Sequence, residues 1–90
     1  MAVIEYKLHS EYYDQINSGK KKFELRLNDR EVNEGDILLL REWDRIKNEY
    51  TGRNIEKTVT RVNKFRLEDF YKYWTKEDIE EKGIMIMSIE

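Results

Sequence analysis

From Lys22 to Asn28 the chain alternates without a break: Lys22, Glu24, Arg26 and Asn28 interleave with Phe23, Leu25 and Leu27. Successive side chains of a β-strand point to opposite faces, so this pattern predicts a strand over residues 21–27 with its apolar row buried. Three charges and an amide then share the other face. That face either belongs to solvent or lines a polar cleft, and the difference decides much of what the chain can do.

The rest of the sequence narrows the alternatives. Ninety residues make one small domain, near the size at which a single core only just suffices. There is no cysteine and a single histidine, which leaves no disulfide framework, no thiolate chemistry and no basis for a zinc site of His and Cys ligands. Stability must come from packing, and two Trp, six Tyr and three Phe supply large apolar areas in a chain that is only 39% hydrophobic. No apolar run has the length of a membrane span, and Met1-Ala2-Val3-Ile4-Glu5 has no secretory pattern. A cytoplasmic monomer without cofactor, metal or membrane contact is expected. The net charge of −2 is unevenly placed: residues 20–30 hold five bases and two acids, residues 67–90 three bases and seven acids. Extended phosphate coating favours a protein that is basic overall, so a confined anionic ligand fits this distribution better.

The expected elements are short. Residues 3–8 read as a strand with Ile4, Tyr6 and Leu8 on one face. Ser10 is placed to cap a helix that carries Tyr12, Tyr13 and Ile16, and Gly19 to end it. After the strand over 21–27, Asn28-Asp29-Arg30 opens a polar connection, and Gly35-Asp36 turns the chain into a strand over 37–43. The run Ile37-Leu38-Leu39-Leu40 predicts burial of that strand on both faces. Residues 44–53 read as a long hairpin loop around Thr51-Gly52, and 53–65 as its partner strand, with a bulge between Val59 and Val62. Leu67, Phe70, Tyr71 and Trp74 have helical spacing. Thr75 can cap a further turn through Asp78, Gly83 can close it, and residues 84–89 form a last strand. The helices are thus expected near 10–18 and 67–82, around a strongly curved sheet.

Gly19-Lys20-Lys21-Lys22-Phe23-Glu24-Leu25-Arg26 has the pattern Gly-x-Lys-x-x-Glu-x-Arg, and together with Gly35-Asp36 it resembles the ASCH group (activating-signal-cointegrator homology) of the PUA-like superfamily. Asn28-Asp29-Arg30, the run from Gly35 to Asp44, and Tyr50-Thr51-Gly52-Arg53 resemble a subgroup of small bacterial and phage ASCH-like proteins. The likeness extends over residues 7–65; residues 66–83 depart from it. It implies a PUA-like α+β fold, a curved antiparallel sheet or small β-barrel with two helical segments, spanning residues 1–90. A cleft beside the first helix would be lined by the polar face of the Lys-to-Arg strand. Many members of the superfamily bind RNA. One branch of similar length is an amidohydrolase of acetylated cytidine that uses a lysine and a threonine on this strand with a distant glutamate. Lys21 matches the lysine, whereas Glu24 stands where the threonine would be, so that nucleophile is missing here.

Each candidate residue carries two readings. Glu24 and Arg26, roughly 7 Å apart along a strand, form an ion pair on a solvated face, or Arg26 engages phosphate or a base edge while Glu24 accepts from an amino group. Lys20, Lys21 and Lys22 offset the dipole of the preceding helix, or Lys21 polarises a carbonyl while Glu24 activates water. Asn28, Asp29 and Arg30 form a surface turn or the cleft mouth. Trp43 packs at a strand end or stacks a base, and His9 caps and packs or touches ligand. The stripe at 67–74 packs on the sheet, covers the cleft, or offers an aromatic patch to a protein partner. The expected function is binding of RNA or a small nucleotide-like ligand through the Lys21-to-Arg26 strand. The alternatives are an amidohydrolase of an acylated nucleoside using Lys21 and Glu24, and a phage or mobile-element protein-interaction module using the acidic last third.

Overall fold

The run of four aliphatic residues after Asp36 forms the middle of the sheet. In the computed structural model, which describes residues 1–85 and 87, strand β2 (Ile37–Asp44) lies between β1 (Val3–His9) and β3 (Glu49–Thr58). Neighbours on both sides and the absence of any fully exposed position in β2 account for its apolar start. β3 pairs antiparallel with β2, as expected, but β1 pairs with it in parallel. The three described strands are therefore an open mixed sheet in an α+β chain rather than a uniformly antiparallel one. The parallel pairing follows from the connection: helix α1 (Ser10–Asn17) and the stretch 18–36 carry the chain back before β2 begins.

Helix α1 lies on the face made by Leu8 of β1 and Leu40 of β2. These two, with Tyr13 and Ile16, are the buried cluster, and Tyr6, Leu38 and Ile55 pack around it. Burying an aliphatic side chain of this kind contributes roughly 1.5–3 kcal/mol, so this cluster is the main source of stability. His9, not Ser10, is the N-cap of α1; the Ser10 hydroxyl instead donates to the Trp43 carbonyl at 3.4 Å, tying the helix start to β2. Gly19 follows the C-cap Ser18 with φ +81°, a left-handed conformation that favours glycine.

The expected strand over 21–27 is not formed. This stretch has no ladder partner among the described residues; side chains hold it. The Ala2 carbonyl accepts from the Ile37 amide, so by the two-residue period the carbonyls of Glu5 and Lys7 face away from β2. Arg26 donates to the Lys7 carbonyl at 2.6 Å and Arg30 to that of Glu5. The expected burial of the apolar row does not occur. Phe23, Leu25 and Leu27 are 40%, 62% and 82% exposed, and Lys22, Arg26 and Asn28 are exposed too, whereas the side chains of Lys21 and Glu24, one from each row by parity, are only 16% and 12% exposed. With no strand formed, alternation does not set burial here, and Glu24, Arg26 and Arg30 anchor the stretch through their side chains.

The hairpin is tighter than expected. Asp44 Oδ1 accepts from the amides of Ile46 and Lys47 at 2.9 and 3.1 Å, and β3 already begins at Glu49. Gly52, read as a turn residue, lies inside β3 at φ +91°. There the register breaks: Arg41 pairs with Asn54 and Trp43 with Tyr50, so Glu42 alone faces residues 51–53. The bulge thus falls earlier than Val59 to Val62, and β3 ends at Thr58 instead of continuing to Phe65.

The expected helix over 67–82 is divided into a 3-10 turn (Leu67–Phe70) and helix α2 (Lys76–Lys82). Thr75 between them is extended at ψ 156° and accepts from the Asp78 amide at 3.1 Å, the N-cap role read from the sequence. An N-cap is not itself helical, so the spacing of the aromatic stripe could not continue through it. Leu67, Tyr71 and Trp74 are accordingly 55%, 43% and 52% exposed, without the packed face expected. Gly83 closes α2. The last strand, expected over 84–89, lies mostly outside the described residues.

Candidate functional site

α1 covers only part of its sheet face. Beside it a concavity of about 690 Å3 opens over Tyr6, Leu38 and Leu40. One wall comes from the stretch after Gly19, and the other from the end of β3 and the residues following it, as far as Leu67. Seven basic side chains line it among the described residues, with Glu24 as the one carboxylate. Concentrating one sign of charge in a cleft over an apolar floor focuses its field and attracts anions.

The first wall is built through side chains. Glu24 accepts from Lys21 Nζ at 3.2 Å on one oxygen and from Arg26 Nε at 2.9 Å on the other. The guanidinium carbons of Arg26 and Arg30 each lie 4.6 Å from the centre of the Tyr6 ring. Lys21 Nζ lies 4.7 Å from the Tyr12 ring, and its amide donates to the Gln15 carbonyl at 2.9 Å, which ties this wall to the end of α1. Lys22 and Asn28 complete the set of expected residues that line the concavity. With both Glu24 oxygens already held by cations, the Lys21–Glu24 pair is better arranged to fix Arg26 than to take a proton from water.

The second wall was not anticipated. Lys57, Arg61 and Lys64 line it, all exposed, and among the described residues no carboxylate pairs with any of them. Lys57 had a signal in the sequence, since it is two residues from the core-facing Ile55 on β3. Arg61 and Lys64 follow the end of β3, where extending the strand to Phe65 obscured their placement.

Lys20, Asp29 and Trp43 are not among the residues lining the concavity. Trp43 meets Tyr50 edge-on at 4.8 Å, with Lys7 Nζ 3.8 Å from its ring, so its place is in side-chain packing near the hairpin. His9 Nδ1 lies 3.8 Å from a Glu11 oxygen.

A second polar cluster is structural. Glu42 is 2% exposed and shares the parity of Leu38 and Leu40, a position where a carboxylate demands partners. Arg53 clasps it with Nε at 2.7 Å and Nη2 at 2.6 Å, and Thr51 Oγ1 donates to it as well. The bulge at 51–53 lets both residues reach the same carboxylate. Arg53, more than the Thr51 and Ser10 hydroxyls, holds the Glu42 carboxyl down to about 2 against the cost of its burial. Arg53 also lies 4.3 Å from the Tyr13 ring, locking α1 to the sheet. At the entry to β2, Asp36 accepts from the amides of Ala2 at 2.9 Å and Asn33 at 2.8 Å, and these bonds lower its pKa.

The family described as "Domain of unknown function (DUF3850)" matches residues 3–73, which include all three strands, α1 and both walls. The chain belongs to this family. A relative in Escherichia phage P2, described as "Uncharacterized 12.9 kDa protein in GpA 3'region", is 41% identical over 70 residues, or 76% of this chain. Those residues span 62% of the phage protein. The DUF3850 match thus covers the concavity and leaves α2 outside it. No helix among the described residues is long and apolar enough to cross a membrane.

Proposed function

We propose that the chain is an ASCH-type, PUA-like domain that binds RNA or a nucleotide-like ligand in this concavity, its three strands belonging to a PUA-like curved sheet or barrel. The observation that carries the reading is the excess, among the described residues, of seven basic side chains over one carboxylate around a floor of Tyr6, Leu38 and Leu40, in a chain whose net charge is −2. Basic character gathered at one concave site suits a confined anionic ligand with an aromatic part. Glu24 adds an acceptor for amino or imino groups, which a site selecting only for phosphate would not need.

Fluorescence anisotropy of a labelled, short single-stranded RNA at two salt concentrations tests this. With about three phosphate contacts, the affinity falls roughly as the square of salt concentration, or about 15-fold between 50 and 200 mM. Absence of binding to RNA and to mononucleotides at the lower salt refutes the proposal. The 3.2 Å Lys21–Glu24 contact supports a second reading, hydrolysis of an acylated nucleoside. Incubation with such a nucleoside separates the two: the binding reading yields no deacylated product, and multiple turnover would replace it.

A further inference from the structure

The two walls differ in how their charges are satisfied. We infer that residues 57–64 take the phosphate of the ligand while the Tyr6–Glu24 wall takes its base, so that the site selects a nucleoside monophosphate unit. This rests on the nucleotide-binding reading above and assigns parts of the ligand to parts of the cleft.

On the first wall, cations are already committed. Arg26 is held by Glu24 and the Lys7 carbonyl, Arg30 by the Glu5 carbonyl, and Lys21 by Glu24. A phosphate arriving there competes with these acceptors for cations whose charge is already partly balanced, and meets the Glu24 carboxylate. On the second wall, Lys57, Arg61 and Lys64 have no carboxylate partner among the described residues, so a phosphate forms charge-assisted bonds without breaking any. The register places Lys57 directly opposite Leu38, at the floor, so an anion bound there stays next to the apolar surface. On the other side, guanidinium planes kept in place by Tyr6 and by backbone carbonyls offer a surface on which a base stacks. Glu24 lies beside it as an acceptor for the base edge. A volume of about 690 Å3 suits one or two nucleotides and excludes a duplex.

The test measures the phosphate increment, the ratio of nucleoside Kd to 5′-mononucleotide Kd, by amide chemical-shift titration with the four common ribonucleosides and their 5′-monophosphates. For the unmodified chain the ratio should be about tenfold or more at low salt, the size of one or two charged hydrogen bonds. In the triple variant Lys57→Ala, Arg61→Ala, Lys64→Ala the ratio should approach one, with the nucleoside Kd within about twofold of the unmodified value. Arg26→Ala should weaken nucleoside and nucleotide alike and leave the ratio intact. All three positions on the second wall are exposed, and the circular-dichroism melt of the triple variant checks that it folds. Dinucleoside monophosphates distinguish the sources, since tighter binding than mononucleotides identifies a single strand and weaker binding a free nucleotide. A ratio that survives in the triple variant overturns the wall assignment while nucleotide binding stands. If neither nucleosides nor nucleotides shift any amide, the binding reading falls and the assignment falls with it.

Discussion

Replacing Glu42 by Gln tests the idea that one buried carboxylate locks α1 and β3 onto the middle strand. The side chain is 2% exposed, and its oxygens accept from Arg53 Nε, Arg53 Nη2 and Thr51 Oγ1. Glutamine keeps the shape but turns an NH2 donor toward the guanidinium. The difference between the usual 4.5 of the Glu42 carboxyl and its value of about 2 sets an upper bound of about 3 kcal/mol on the contribution of ionisation. The Arg53 side chain is 54% exposed, so solvent screening reduces this to about 1–2 kcal/mol. The mispaired donor adds about 1 kcal/mol, for a total of about 2–3 kcal/mol. In a domain of this size, that lowers Tm by roughly 8–24 °C at pH 7. The folded-state pKa lies below the unfolded one, so this stabilisation is present above about pH 4.5 and is lost as pH falls toward 2. Melting curves of both proteins at pH 7, 5, 4 and 3 should therefore converge progressively below pH 4.5. A stability gap of the same size at pH 3 and pH 7 would show that the loss is one of shape rather than charge and would refute the argument.

Leu40→Ala, at a position 1% exposed in the sheet centre, should cost about 2–5 kcal/mol in urea unfolding. Asp36→Asn should speed hydrogen exchange at the Ala2 and Asn33 amides, because one of these N–H groups then faces a donor; the two amide bonds hold the Asp36 carboxyl below its ordinary value of 3.8, so the effect should persist as pH falls through 3.8 and disappear only below that lowered value, where the wild-type carboxyl becomes neutral. Glu24→Gln should change ligand affinity by about 1–3 kcal/mol without altering turnover of an acylated nucleoside, which is expected to be nil with either protein. Deacylation by the unmodified protein that disappears in Glu24→Gln would assign Glu24 to catalysis.

The elements that were legible are those whose signal is local and whose burial is simple. Alternating Ile4, Tyr6 and Leu8, the aliphatic run at 37–40 and the Thr75 and Gly83 ends all appear as read, while of Tyr12, Tyr13 and Ile16, expected on one side of the first helix, the last two are buried and Tyr12 is 41% exposed. What was not legible depends on partners remote in the chain. Alternation at 22–28 does not say whether a partner strand is within reach, and here the stretch is held instead by Arg26 and Arg30, which find carbonyls 19 and 25 residues away. Gly52 was ambiguous because a left-handed φ serves a turn and a bulge equally. Of the proposed site residues, Lys21, Lys22, Glu24, Arg26, Asn28 and Arg30 were brought together around the concavity, while Trp43 joined other packing. The second wall was missed because exposed Lys and Arg beyond a strand end carry no pattern of their own.

The two arginines on the outer carbonyls of β1 also bear on self-association. A strand with one free side is a template for another copy of the same sequence, and proteins that remain dispersed at high concentration block such templates. Among the described residues, the groups on that side of β1 are planar, charged and attached to a different part of the chain, so they cover the Glu5 and Lys7 carbonyls without extending the ladder. A ligand that drew both guanidiniums away would uncover β1, and crowding of such complexes would then favour polymerisation through strand addition.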